Sequence, residues 1–469
     1  MGYLLGLEWL GVGIAAPFLL FPTVRPNWTT AALAMLATWW LLRWAVRGEP
    51  WPRTPFNVAL LVLLLTIPLS IRASIVPELT LPKAAGFLLG LAVFRVIAFS
   101  VQNQSHLRLV LVVFILLGFA ILVVGTLGAE WRTKVSALEP IIPYIPRLIG
   151  PLPELRAEAV HPNQLAGVLS LYLPLLVSLL FRPWRSHRRA KILSERIGLS
   201  LFCLLWTGIL VLTQSRSGWM GGLVGLIILP ALWGSTMPRS SARWIGWGVF
   251  IIIVVAGIGA IFAAGPERLQ AVWEEPSVQT AIGPLNTLAF RQEVWRWALV
   301  TIGDFPLTGC GLGTFRDVAR VLYPMDPSRV PPGYDIAHAH NIFLQTALDL
   351  GIPGLVAYLA LLGIALAVCW RVALTPSPAA SGGFPLPLSR SAGEGEGGRG
   401  VGVRALALGL AAGLIALHVY GMTDALALGS KPAVAFWYAL GIVAALGQRQ
   451  GLSMMSCAIS TDGLVASRF

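Results

Sequence analysis

The sequence predicts an all-α, polytopic integral membrane protein with about 12 transmembrane helices and a helical periplasmic cap. Three observations carry that expectation. Of 469 residues, 56% are hydrophobic and 12% are charged, where a water-soluble domain of this size carries about 25% charged residues. Apolar runs close to 20 residues in length, enough to cross the hydrocarbon core as helices, recur along the whole chain. The runs also lack the polar–apolar alternation that a membrane β-barrel requires.

Hydropathy places the spans in order near 4–22, 30–47, 57–73, 84–102, 108–128, 163–181, 197–213, 218–234, 245–264, 353–371, 403–421 and 432–447. Met1 to Leu20 is apolar without a basic start or a small-residue cleavage site, so a first membrane helix is expected rather than a removed signal peptide. Arg182, Arg185, Arg188, Arg189, Lys191 and Arg196 cluster between the sixth and seventh spans. By the positive-inside rule that loop is cytoplasmic. Arg43, Arg47 and Arg53, then Arg239 and Arg243, fall on the same side in a 12-span count, which also puts the N-terminus in the cytoplasm. The expected organisation is a transmembrane bundle over 1–264 and an extracytoplasmic cap with short helices over 265–345. A second set of spans follows over 346–447, and a cytoplasmic tail over 448–469. Segment 372–402 is rich in Pro, Gly and Ser and reads as a disordered cytoplasmic loop.

The net charge is +13. The basic residues lie mostly in short loops, which fits membrane orientation, and no compact basic domain suggests nucleic acid. Cys203 and Cys369 lie in apolar runs, Cys457 in the tail and Cys310 in the long polar loop. That distribution implies neither a disulfide framework nor a metal cluster.

Within the cap, Arg291 to Ile302 is expected to be a helix with Arg291 and Trp295 on one face, at i and i+4. Glu267 to Trp273 is a second candidate. Gly309-Cys310-Gly311-Leu312-Gly313 lacks the spacing of a phosphate-binding loop and reads as a tight turn.

The candidate chemistry lies at span mouths. Arg216 sits in Thr213-Gln214-Ser215-Arg216-Ser217-Gly218, a tight outward turn between two apolar spans. A guanidinium there is costly unless it meets water, a carboxylate or an anion, and its planar fork suits phosphate oxygens. A snorkelling or ion-paired helix-end arginine explains the placement equally well. Arg291 alone reads as a solvated charge and gains meaning only beside Arg216 and the histidines. His338 and His340 form a titratable pair in Ala337-His338-Ala339-His340-Asn341. His340 suits a general base, or else a hydrogen-bonded or helix-capping histidine. The pair is His-x-His with no third ligand at a recognisable spacing, so no metal is expected. His161-Pro162-Asn163 opens the sixth span, with Pro near the helix start. Glu158, Glu293, Asp304 and Asp335 are alternative bases that nothing in their spacing singles out.

Four blocks together resemble the bacterial O-antigen ligase and polymerase superfamily of membrane glycosyltransferases. They are His161-Pro162-Asn163 with the span after it, Leu212 to Gly218, Arg291 through Trp295 to Asp304-Phe305-Pro306-Leu307-Thr308-Gly309-Cys310-Gly311, and His340-Asn341 with Gly351 and Gly354. Their order and spacing carry the likeness, and the 372–402 insertion has no counterpart in it. The resemblance implies an undecaprenyl-diphosphate-linked glycan donor, a lipid or glycan acceptor, membrane lipids as surroundings, no cofactor and no metal. It implies a bacterial inner membrane with the active site on the periplasmic face. It also assigns Arg216 and Arg291 to the diphosphate and His340 to catalysis. His338, Asn341, Ser215, His161 and Asn163 are possible supporting residues. The expected reaction is a ligation onto an acceptor such as lipid A–core. Repeat-unit polymerisation, transfer to a protein hydroxyl and transport of lipid-linked glycan remain as alternatives.

Overall fold

A computed structural model describes residues 2–129, 131, 138–145, 161–181, 189–236, 243–257, 259, 288–330, 336–375 and 396–451. Among these the architecture is helical throughout. The helices are α1 (Gly2–Leu20), α2 (Pro26–Arg47), α3 (Asn57–Ala73), α4 (Pro77–Ser100), α5 (Gln104–Gly128), α6 (Pro162–Leu180), α7 (Arg189–Leu212) and α8 (Arg216–Thr236). They continue with α9 (Arg243–Gly257) and with α10 (Leu288–Asp304), α11 (Phe315–Leu322), α12 (Ile342–Leu374), α13 (Glu396–Tyr420) and α14 (Val434–Arg449).

Seven of the described helices, namely α4, α5, α6, α7, α8, α12 and α13, are long and apolar enough to cross a membrane over most or all of their length. Helices α1, α3 and α9 contain shorter apolar segments, so the seven are fewer than the twelve spans the hydropathy suggests. Helices α4, α6 and α13 are mostly buried inside the bundle, while α5 and α7 turn most of their surface outward. That outward surface carries Leu109, Val112 and Leu116 on α5 and Leu201, Leu204 and Leu205 on α7. Such a continuous apolar face is unfavourable in water and suits lipid.

Helix starts follow local chemistry. Proline stands at the first turn of α2, α4 and α6, where its missing N–H costs nothing. The Asn103 side chain caps α5, the His161 imidazole caps α6 and the Asn341 side chain caps α12. Each satisfies backbone donors that an apolar medium would leave stranded.

Helix α13 packs against α6, α8 and α12, and α4 packs against α14. Small residues allow this close approach. A Cβ at Gly413 would strike the Leu171 carbonyl of α6, and one at Gly221 of α8 would strike the Ala416 carbonyl. At the end away from the histidines, Glu8 of α1 is buried and pairs with both Arg43 and Arg95. Arg43 lies over the Phe99 ring. One carboxylate thereby neutralises part of two buried cations and holds α1, α2 and α4 together.

The described residues of 288–330 and 336–341, with Leu348, build a smaller core of their own. Phe290, Val294 and Ala298 of α10 meet Cys310, Phe315 and Val318, together with Ile336, Ala339 and Leu348. The predicted helix over 291–302 is present and slightly longer. The candidate helix at 267–273 lies outside the described residues.

Two boundaries differ from the sequence reading. Helix α12 begins at Ile342, well before the span start expected near 353, and is broken at Gly351 (φ 73°, ψ 178°). The expected loop 372–402 is helical at both ends, since α12 runs to Leu374 and α13 starts at Glu396. Arg404 Nε donates to the Ala373 carbonyl at 3.0 Å, tying those two helices where they leave the bundle.

Candidate active site

Several chain segments meet at one end of the bundle: the start of α6, the α7–α8 turn, the N-terminal half of α10, the 336–341 segment and the α13–α14 turn. The α7–α8 turn is tight because Gln214 takes a positive φ of 52°. Ser215 then caps α8, its Oγ accepting from Gly218 N at 3.2 Å. Ser215 is thus accounted for as a helix cap, and Arg216, the first residue of α8, is presented at the turn. Gln214 and His340 are the two non-glycine residues with positive φ among those described. Such conformations carry strain and concentrate at functional sites.

The 336–341 segment is held from three directions. Trp295 Nε1 of α10 donates to the Ala339 carbonyl at 3.0 Å. Ala339 N donates to Gln345 Oε1 at 2.8 Å. Asn341 caps α12 through Phe343 N and Leu344 N, and its Nδ2 donates to the Met422 carbonyl at 3.0 Å. Asn341 therefore serves as cap and as cross-link, joining the histidine segment to the turn after α13. Ile342 N reinforces that link by donating to the Gly421 carbonyl at 2.7 Å.

The imidazoles of His338 and His340 lie with ring centroids 4.2 Å apart, and His340 N donates to His338 Nδ1 at 3.1 Å. His340 also meets the Phe290 ring edge-on at 5.7 Å. The group that sequence reasoning missed is Asp424. It is buried, and its Oδ1 lies 3.6 Å from His338 Nε2. Asn163 Nδ2 donates to Asp424 Oδ2 at 2.8 Å, and Ala425 N donates to Oδ1 at 2.8 Å. Asn163 thus holds the carboxylate, while His161 accepts from Asn163 N at 3.2 Å and opens α6. The signal available in the sequence was a lone aspartate between two apolar spans.

Electrostatics tie the arginines to this group. Burial lowers the pKa of Arg291; Asp424 opposes that shift and Arg216 reinforces it. Burial, then the neighbouring His338, pushes His340 down to about 3, although Asp424 works the other way. Burial likewise lowers His338, against the pull of Asp424. For Asp424 burial pushes upward, but the imidazoles and the Ala425 N–H outweigh it and hold the carboxyl below its ordinary range. Near neutral pH the site contains neutral imidazoles, an ionised carboxylate and two arginines.

Of the alternative bases, Glu293 is buried and accepts from Trp297 Nε1 at 2.8 Å and Asp326 N at 3.2 Å. Asp304 accepts from the Tyr323 hydroxyl at 2.6 Å. Both brace the small core. Glu158 and Asp335 lie outside the described residues. Burial pushes the Cys310 thiol up to about 12, which suits a packing residue.

A metal-like grouping also emerges that sequence spacing did not suggest. Ligand atoms of His338, His340 and Asp424 all lie within 4.8 Å of one another. Two neutral imidazoles and a carboxylate are a competent donor set for a divalent cation. The surrounding cations oppose one, because Arg291, Lys83 and Arg316 all act on His338. The balance of charge suits an incoming anion better.

Residues 199–359 match the family model described as O-antigen ligase. This stretch is similar to the O-antigen ligase family. No curated protein matches the chain. The match covers less than half of the chain and supports the O-antigen ligase superfamily, a family of membrane glycosyltransferase-like enzymes. Arg216, Arg291, His338, His340 and Asn341 all fall inside the matched region. His161, Asn163 and Asp424 come from outside it, so the site draws on helices on both sides of the matched region.

Proposed function

We propose that this protein is a glycosyltransferase of O-antigen ligase type, which moves a glycan from an undecaprenyl diphosphate carrier to an acceptor hydroxyl such as one on lipid A–core. The observation that carries the reading is the convergence of Arg216, Arg291, the two histidines and Asp424 at one end of an apolar bundle. A membrane protein has little reason to keep neutral imidazoles beside outward arginines unless a charged substrate meets them.

In the proposed reaction, Arg216 and Arg291 bind the diphosphate and stabilise its charge as it leaves. The His340 imidazole takes the proton of the acceptor hydroxyl. The acceptor oxygen forms a bond to the anomeric carbon, and the bond from that carbon to the diphosphate oxygen breaks. The electron pair leaves with the lipid diphosphate, and the configuration inverts in a single displacement. No metal takes part. Asp424 orients His338 and stabilises positive charge on the histidine pair, while Asn163 and Asn341 position those two groups. An empty His340 is a weak base. Donor binding corrects this, because the diphosphate offsets the arginine charge that disfavours the imidazolium.

Chain order supports a location at the extracytoplasmic face of a bacterial inner membrane. The site gathers the start of α6 and the end of α13, opposite the end of α6 that leads into the basic sequence at 182–196. Residues 265–345 serve as the cap, and the remaining helices complete a bundle of about 12 spans.

Mass spectrometry of products from purified protein, lipid-diphosphate oligosaccharide and lipid A–core tests the reading. Glycan on the core with free lipid diphosphate supports a ligase. Longer glycan still on lipid diphosphate identifies a polymerase, and no new glycosidic bond removes the transferase.

A further inference from the structure

A second group of cations lies beside the site and has no part in the proposed diphosphate contacts. Lys83 on α4 is partly buried and has no hydrogen-bond or ion-pair partner among the described residues. Its stem runs along the 309–314 turn, where a Cβ at Gly313 would meet Lys83 Cγ at 3.4 Å and Cε at 3.7 Å. Arg316 follows in the first turn of α11 and reaches the Ala337 carbonyl at 3.4 Å, next to His338. Lys431, at the start of the turn before α14, places its Nζ 4.2 Å from the Phe21 ring centroid. Burial, and then the charge of Lys83, pulls Lys431 down to about 8.

The two cation groups weigh differently on the two histidines. Among the cations, Lys83 and Arg316 weigh more on His338 than Arg291 does. On His340 the acting cation is Arg291, with His161 behind it. Arg316 meets the histidine segment at the Ala337 carbonyl beside His338, with Lys83 against the 309–314 turn. The carboxylate that acts on Lys83 is Asp349, and it is already engaged by Gly313 N at 2.9 Å and Gln345 Nε2 at 2.8 Å. A partly buried ammonium without a direct counter-ion is costly, and an anionic ligand relieves that cost.

We propose that Lys83 and Arg316, with Lys431 behind them, form a second anion subsite that holds an acidic substituent, phosphate or carboxylate, of the acceptor saccharide. This rests on the transferase reading for the word acceptor. In an inverting displacement the acceptor oxygen attacks the anomeric carbon opposite the leaving diphosphate, and the base contacts that oxygen's proton. With the diphosphate at Arg216 and Arg291, the far side of the histidines is the acceptor side. The enzyme then selects acidic acceptors by a charge contact remote from the reacting oxygen.

The experiment is equilibrium binding to the full-length protein in detergent, with lipid A–core and lipid-diphosphate oligosaccharide as separate probes. Lys83→Met is expected to weaken lipid A–core binding about tenfold, the effect of one partly buried charge contact. Donor binding should stay within about twofold, and Lys83→Arg should recover most of the loss. Arg216→Ala should show the opposite pattern. Phosphatase-treated lipid A–core separates the two acidic groups: loss of the Lys83 dependence assigns a phosphate, and its persistence assigns a carboxylate. Unchanged lipid A–core binding in Lys83→Met overturns the proposal. So does a loss confined to the donor, or failure of the wild-type protein to bind lipid A–core. Turnover is scored separately. A wild-type protein that binds lipid A–core through Lys83 yet transfers nothing removes the transferase and leaves the subsite standing.

Discussion

His338 Nε2 stands 3.6 Å from Asp424 Oδ1, joining the segment before α12 to the turn after α13. The carboxylate is buried and is fixed by Asn163 from a third helix. Asp424→Asn keeps the shape and removes the charge. The expected result is a fall in turnover of about 10²-fold, in the range of general acid–base contributions. Donor binding should change little. Combined with His338→Ala, the two losses should be far from additive, because the residues act as one unit. Additive losses in a kinetic double-mutant cycle would separate them.

The arginines and the histidine should fail differently. Arg216→Ala and Arg291→Ala remove diphosphate contacts and are expected to lower turnover by about 10²- to 10³-fold, with weaker donor binding. His340→Ala should bind donor normally and not turn over. Protein level and folding in the membrane should match wild type in all three, which fluorescence-detected size exclusion would show.

Burial holds the free His340 imidazole at about 3, well below the ordinary value for histidine. The neutral, base-competent form is then fully populated above pH 5, and protonation removes it only as pH falls toward that value. The kcat/KM for donor reports groups of the free enzyme. It should therefore be flat between pH 6 and 8, with no acid limb near 6.5. The kcat profile should carry its acid limb at higher pH, because bound diphosphate favours the imidazolium. A limb near 6.5 in kcat/KM would show that His340 is not buried as described.

Gly351 breaks α12 at a φ of 73°, and a Cβ there would strike the Leu307 carbonyl. Ile352 N donates to the Pro306 carbonyl at 2.7 Å, and Cys310 N to the Leu348 carbonyl at 2.8 Å. The two backbones touch because glycine stands at 351 and at 309. Gly351→Ala is expected to destabilise by at least about 1–3 kcal/mol, from the strained conformation alone. A thermal unfolding midpoint equal to wild type would contradict the tight backbone approach.

Much of this was legible in sequence where local signals and tertiary structure agree. Hydropathy located α3, α5, α6 and α8 closely, and the i, i+4 spacing put Arg291 and Trp295 on one face of α10. Trp295 now holds the Ala339 carbonyl, while Arg291 acts on His340. Helix α12 was begun too late because Gln345, Thr346 and Asp349 lower the hydropathy of its first turns. Those groups are buried and bonded to Ala339 N, the Ile342 carbonyl and Gly313 N respectively, which no local pattern reveals. Asp424 was missed for a related reason. Its partners come from distant helices, and a single aspartate between two spans carries no motif.

The most direct test is to reconstitute wild-type protein and His340→Ala in liposomes with the same lipid-diphosphate glycan and acceptor, and to measure lipid diphosphate released against glycan transferred. Wild type should release one lipid diphosphate for each glycan transferred, while His340→Ala binds donor and releases none. Near-normal release and transfer by His340→Ala would contradict the role of His340 as the base.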